Sequence, residues 1–257
     1  MPRRPIVYLD DRCRAFLVRM PPGGVYSHTT AARLYSMPLP LSMTSHTELH
    51  VSSPASRRAV DARGIIGHST LLRAQDWDRR FGYPVTTPER TWCDLAVMVT
   101  LAELVAVGDK LIARRLPQTT PVDLARAVDE YPSRRGIRNL RRALPLLNER
   151  AESPRESLLR VAIVLAGLPE PTVNRRVFDS NGKFLARVDL SYPHLKLSME
   201  YQGDHHRADR AQWRKDIART RALQAAGWTE LQYTQDDLAR PESFLAELRS
   251  MITQLSN

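Results

Sequence analysis

The sequence predicts an α/β protein of two domains: a mixed α/β domain over residues 1–150 and a second α/β domain over residues 151–257. Three observations carry this. Between residues 172 and 201, apolar residues alternate with polar ones in short runs, the period of half-buried strands. On either side of these runs the spacing becomes helical. Charge also divides unevenly. Residues 1–153 hold 23 Lys+Arg against 15 Asp+Glu, and residues 154–257 hold 15 against 13. The basic excess of a chain with net charge +10 therefore lies outside the second domain.

Composition sets further bounds. A chain of 257 residues makes one large or two small domains, and a hydrophobic fraction of 42% is enough for a core. Cys13 and Cys93 form neither a metal-spaced cluster nor a disulfide framework, so a reducing cytoplasm is the expected compartment. The opening M-P-R-R-P-I-V-Y-L-D lacks the apolar core of a secretory signal. The greasiest stretch, Leu95 to Ala113, is broken by Glu103, Asp109 and Lys110, so no membrane span is expected. The pI near 10.1 favours contact with a polyanion.

In chain order, residues 1–25 are basic and end in Pro21-Pro22-Gly23-Gly24, which predicts a helix or arm and then a turn. A capped short helix follows over Ser27–Tyr35. Strands are predicted over Thr47–Ser53, Gly64–Ser69 and Tyr83–Thr86. A helix then starts with Thr as its cap, Pro88 in the first turn and an early Glu89. Further helices are expected over Leu101–Arg115, Pro121–Tyr131 and Gly136–Leu147. In the last, Arg135, Arg138 and Arg142 fall at i, i+3 and i+7 and share a stripe. It is either a phosphate-contacting face or a solvated basic one. His46 and His50 lie four apart near a strand pattern and read as structural.

Asn148–Ser153 is the expected linker. Ser153, Pro154 and Glu156 then fit a capping box that opens a helix reaching about Gly167. A strand over Thr172–Asp179 leads through the turn Ser180–Lys183, where Asn181-Gly182 supplies positive φ. In the next strand Phe184, Ala186, Val188 and Leu190 share one face, and Arg187 and Asp189 share the other. In the strand after it Leu195, Leu197, Met199 and Tyr201 face the core, opposite Lys196, Ser198, Glu200 and Gln202. The stretch from Arg207 to Ala226 is helical, with Arg207, Arg210 and Arg214 as candidate nucleic-acid contacts, Arg221 on the same side, and Ile217 and Leu223 on the packed side. Gly227 ends it. A strand over Trp228–Tyr233 and a helix over Asp236–Leu255 complete the order α-β-β-β-α-β-α. Asp189 and Glu200 thus share a polar face on adjacent strands, roughly 4.5–8 Å apart at Cβ. Two acids that close repel unless a cation sits between them, and oxygen ligands suit Mg²⁺ or Mn²⁺. The alternative is two solvated acids on an exposed sheet face.

Arg187-Val188-Asp189-Leu190 and Glu200-Tyr201-Gln202-Gly203-Asp204-His205-His206 resemble the core motif of the PD-(D/E)XK nuclease superfamily, in the branch similar to very-short-patch-repair endonucleases. The resemblance implies a restriction-endonuclease-like αβββαβ core and Mg²⁺- or Mn²⁺-dependent hydrolysis of DNA. It implies that Asp189 and Glu200 hold the metal with the Tyr201 carbonyl, and that Glu156 is the first-helix acid. Gln202 stands where the superfamily has a lysine and would orient the attacking water. His205 or His206 would act as general acid or base or bind phosphate. Upstream, S-H-T-T-A-A-R-L-Y-S-M-P-L-P, T-T-P-E-R-T-W-C-D-L-A and V-G-D-K-L resemble AbiEi-type antitoxins of type IV toxin–antitoxin systems. Such relatives begin with a winged helix, for which the residues ahead of Ser27 are too few. That likeness implies a cognate toxin or defence protein as partner. Two functions follow: a DNA endonuclease, or a non-catalytic DNA- or protein-binding component with a degenerate nuclease core.

Overall fold

Chain connectivity and side-chain alternation build two sheets, one in each of two units. The structure is a computed structural model that describes residues 5–44, 48–202 and 210–256, with side chains over 9–44, 48–202 and 217–256. The units are Met1–Glu149 and Arg150–Asn257. Each is mixed α/β.

In the first unit, helix α1 (Pro5–Leu17) precedes strand β1 (Val25–Tyr26), α2 (His28–Leu34), α3 (Leu41–Thr44), β2 (Leu49–Pro54), β3 (Ile65–Thr70), β4 (Trp77–Arg80) and β5 (Tyr83–Thr86). The sheet order is β3-β2-β1-β5-β4, with β2–β3 and β1–β5 parallel and the other pairs antiparallel. Sequence periodicity does not reveal β1 or β4. The first is two residues long, and the second, W-D-R-R, is exposed throughout and has no buried face to mark it. Phe81 and Gly82, with φ of 56° and 81°, close the β4–β5 hairpin in the left-handed pair of conformations that matches strand twist.

Helices α4 (Pro88–Leu95), α5 (Leu101–Leu111), α6 (Pro121–Asp129) and α7 (Ile137–Ala143) follow. The T-T-P-E-R-T-W-C-D-L-A segment is explained by packing. Thr87 caps α4 by accepting from the Arg90 amide. The buried Arg90 guanidinium donates to Asp94 Oδ1 at 2.9 Å, Asp76 Oδ2 at 2.8 Å, the Leu71 carbonyl at 2.9 Å and Thr70 Oγ1 at 3.0 Å. One cation thereby ties α4 to β3 and to the turn before β4. The Trp92 indole donates to the Leu104 carbonyl at 2.8 Å. A side chain at Gly108 would run into the Leu147 side chain, so glycine is what lets α5 pack there.

Helix α7 corrects the predicted arginine stripe. Gly136 adopts φ 79° as the residue before the helix, so Arg135 lies in the preceding turn. Arg138 and Arg142 alone of the three are helical, four apart and exposed.

The second unit runs α8 (Pro154–Leu165), β6 (Thr172–Phe178), β7 (Phe184–Tyr192), β8 (Leu197–Tyr201), α9 (Arg210–Ala225), β9 (Thr229–Tyr233), α10 (Gln235–Ala239) and α11 (Glu242–Ser256). The sheet order is β6-β7-β8-β9, antiparallel until the β8–β9 pair, which is parallel and joined through α9. One core joins Leu159 and Ile163 of α8 and Phe244 and Leu248 of α11 to Leu190, Met199 and Leu231. A second joins Leu223 of α9 to Val177, Ala186 and Val188. The expected single face of Phe184, Ala186, Val188 and Leu190 is therefore broken. Val188 packs with α9 and Leu190 with α8, and Phe184 is 45% exposed. The break falls at Asn174, whose φ is 50° and which sits between the paired rungs Val173–Leu190 and Arg175–Val188. No described helix is long and apolar enough to cross a membrane.

Replacing Arg90 with Met should destabilise the first unit by about 3–5 kcal/mol, because it strands the buried Asp94 carboxylate. Urea unfolding checks this, and a loss under about 1 kcal/mol would show that the arginine cluster contributes little.

Candidate functional site

The β7–β8 ladder runs from Tyr192–Leu197 to Leu190–Met199 and there stops. The next rung in register is Asp189 opposite Glu200. Side chains fill it in place of backbone. Glu200 Oε1 accepts from the Asp189 amide at 3.3 Å, and Asp189 Oδ2 accepts from the Tyr201 amide at 3.3 Å. Each acid thus satisfies an amide that the diverging strands leave unpaired. Alternation on β8 and β9 puts Met199 and Leu231 in the core under α8 and turns Glu200 and Glu230 toward α9. There Arg219 meets Glu200 Oε1 at 3.1 Å and Glu230 Oε2 at 3.7 Å.

Glu156 stands in the first turn of α8. Ser153 Oγ accepts from its amide at 3.2 Å, as the capping pattern predicts, but the reciprocal bond goes elsewhere. Glu156 Oε2 accepts from the Glu152 amide at 3.0 Å and from Asn174 Nδ2. The same Asn174 that breaks the alternation thereby holds the acid.

Electrostatics bind these groups together. Burial, and then the neighbouring Asp189, push Glu200 up to about 7, with Arg219 opposing. Burial also raises Asp189, against the pull of the Tyr201 amide, Arg219 and Arg187. Glu156 is raised by burial, with Asp189 adding to the push. The Tyr233 hydroxyl is raised by burial and then by Asp189, Glu156 and Glu200. Its side chain is buried, and among the described residues the hydroxyl has no hydrogen-bond partner.

The acids were expected to share a metal. Among the described residues, one oxygen from each of Glu156, Asp189 and Glu200 does not come within 4.8 Å of the others; His28, His50 and His68 meet that spacing with a ring nitrogen each. Glu156 therefore stands beside the Asp189–Glu200 pair and does not close a three-acid cluster. The pair itself suits a hard cation. Asp189 Oδ2 and Glu200 Oε1 take the bonds described above, and carboxylate oxygens are the donors that such an ion prefers.

Gln202 follows β8 with an exposed side chain, and its amide donates to the Tyr233 carbonyl at 2.7 Å. His205, His206 and Arg207 lie outside the described residues. Arg210 and Arg214 open α9, with side chains likewise outside them. Arg135, Arg138 and Arg142 belong to the first unit. Sequence reading missed Arg219, Tyr233 and Asn174. Arg219 was within reach, since it lies one helical turn before the packed Leu223.

No protein-family model matches the chain, and no solved structure matches it. Two proteins of Mycobacterium tuberculosis do, the uncharacterized protein Rv2248 of strain H37Rv and the uncharacterized protein MT2308 of strain CDC 1551. Each is 30% identical over 218 residues, covering 84% of this chain and 76% of the relative. The chain belongs to the family of these mycobacterial proteins. Its members' names carry no activity, so function rests on the residues described above.

Raised carboxylates fix the sign of a pH effect. The folded state holds their protons more tightly than the unfolded chain does, so stability is greatest below about 4.5 and falls as pH rises through about 7. For Glu200 the loss should reach up to about 3 kcal/mol in EDTA. Glu200→Gln should flatten most of that slope in urea unfolding between pH 4.5 and 8. An equal slope in both proteins would assign it to other groups.

Proposed function

We propose that the second unit is a Mg²⁺- or Mn²⁺-dependent DNA endonuclease with a restriction-endonuclease-like αβββαβ core. The observation that carries the reading is the rung where the half-buried Asp189 and the buried Glu200 each bind the other's strand. The order α8-β6-β7-β8-α9-β9 and the P-R-E, R-V-D-L and E-Y-Q-G motifs support it.

In this reading Asp189 and Glu200 hold the ion together with the Tyr201 carbonyl. The bound ion supplies a Lewis acid at the phosphate and a water more acidic than bulk. Gln202, at the mouth of β8, hydrogen-bonds and orients the attacking water without adding charge. Glu156 adds negative charge beside Asp189. Arg219 opposes the rise in proton affinity that burial and Asp189 impose on Glu200. His205 or His206 takes or gives the proton at the leaving oxygen. Arg207, Arg210 and Arg214, with Arg135, Arg138 and Arg142 of the first unit, contact phosphates. Both cysteines are buried and free, which suits a reducing cytoplasm.

One observation favours a second reading. Arg219 already supplies a cation to Glu200. A degenerate core of this kind, stabilised by an internal arginine, would serve as a non-catalytic DNA- or protein-binding component, antitoxin-like, with a toxin or defence protein as partner.

The test incubates the full chain with supercoiled, linear and single-stranded DNA in Mg²⁺, Mn²⁺ or EDTA. The nuclease reading predicts metal-dependent cutting, lowered at least about 100-fold by Asp189→Asn or Glu200→Gln with DNA binding retained. Gln202→Lys should preserve or raise it. DNA binding with no cutting by any of these proteins would replace it with the second reading.

A further inference from the structure

Three histidines from separate elements meet in the first unit. His28 opens α2, His50 lies on β2 and His68 on β3. In the parallel β2–β3 register His50 pairs with Ile66 and Ser52 with His68, so the two histidines are diagonal neighbours on one face. His50 Nδ1 and His68 Nε2 are 3.0 Å apart. The His28 ring stacks on His68 with centroids 3.7 Å apart and lies 5.6 Å from His50. One ring nitrogen from each falls within 4.8 Å of the others. We propose that His28, His50 and His68 bind a first-row transition-metal dication, zinc foremost.

The donor chemistry sets the class. Three imidazoles with no carboxylate among the ligands suit Zn²⁺ and its neighbours over Mg²⁺, the reverse of the Asp189–Glu200 pair. Three protein nitrogens leave a tetrahedral ion one position for water. Two nitrogens on such an ion stand about 3.3 Å apart. The His50–His68 pair, now sharing a proton, therefore needs to open by only a few tenths of an ångström. That proton moves to the far nitrogen of its ring by a tautomer shift, so both rings stay neutral. His28 must turn about its χ2 off the stack to aim its lone pair at the same point.

The surroundings are built for histidine ligands. Ligating imidazoles are oriented by carboxylates and hydroxyls on their other nitrogen. Ser27 Oγ lies 2.9 Å from His28 Nδ1, and Ser52 Oγ donates to Ser27 Oγ at 2.8 Å. Asp94 Oδ2 lies 4.0 Å from the same nitrogen. Asp94 is 2% exposed, and this oxygen has no hydrogen-bond partner among the described residues, while Oδ1 takes Arg90 and Tyr131. A buried anionic oxygen left over beside a histidine is what a nearby dication would compensate. His28 also holds φ 48°, a left-handed conformation that a non-glycine residue adopts at a cost. His68 is partly exposed and gives the ion a way in.

The experiment uses the full chain, stripped with EDTA and desalted, titrated with Zn²⁺ by calorimetry and with Co²⁺ by visible absorption. The expected result is one ion per chain, four-coordinate cobalt bands, and a thermal midpoint raised by zinc. His68→Gln should weaken binding at least about 10-fold with an unchanged circular dichroism spectrum, whereas Asp189→Asn should bind zinc as wild type does. If His68→Gln fails to fold, ¹⁵N-histidine NMR of the wild type serves instead, and three rings should shift on zinc addition. No uptake by the wild type, equal uptake by a folded His68→Gln, or fewer than three shifted rings would overturn the proposal.

Discussion

One rung of sheet organises the second unit. Where β7 and β8 diverge, two amides lose their backbone partners, and the carboxylates of Asp189 and Glu200 replace them. Buried amides need acceptors, so the divergence and the acids require each other. Each acid is thereby fixed by a bond to the other's strand. Asn174 on β6 shapes the same place from the other side. It takes the left-handed conformation that breaks the alternation, and its side chain holds Glu156.

This arrangement concentrates negative charge where water is scarce. Burial raises all three acids, the Asp189 charge adds to the rise of Glu156 and Glu200, and Arg219 restrains the rise of Asp189 and Glu200. The buried Tyr233 hydroxyl, which has no hydrogen-bond partner among the described residues, adds a second unmet need. Such a site stores unfavourable energy that a bound cation or a proton relieves, and perturbed groups of this kind gather at functional sites. The first unit handles charge in the opposite manner. Arg90 is buried but donates to Asp94, Asp76, Thr70 and Leu71, so its cost is met within the fold.

Much of this was legible in the sequence, for local reasons. Alternation marked the strands carrying Asp189 and Glu200 and put those residues on neighbouring positions. Thr87 and Ser153 announced their helices by cap chemistry. What escaped was non-local. The face switch between Val188 and Leu190 depends on the conformation of Asn174, a strand away. Arg219 reaches Glu200 only because α9 crosses that face. His28, His50 and His68 lie far apart in sequence and converge through a parallel strand pair that periodicity cannot specify. The arginine stripe failed at Gly136, where a left-handed residue ended the helical geometry that the spacing assumed.

The central claim is that Asp189 and Glu200 act as one site for a hard cation, and direct binding tests it most closely. Mn²⁺ should be titrated into the EDTA-treated chain at pH 6 and pH 8, followed by electron paramagnetic resonance, with His68→Gln as the background so that the histidines do not contribute. The account predicts one bound Mn²⁺ per chain at pH 8, weaker binding at pH 6 where the Glu200 proton competes, and loss of that ion in Asp189→Asn. Binding that is absent at both pH values, or unchanged by Asp189→Asn, would contradict it.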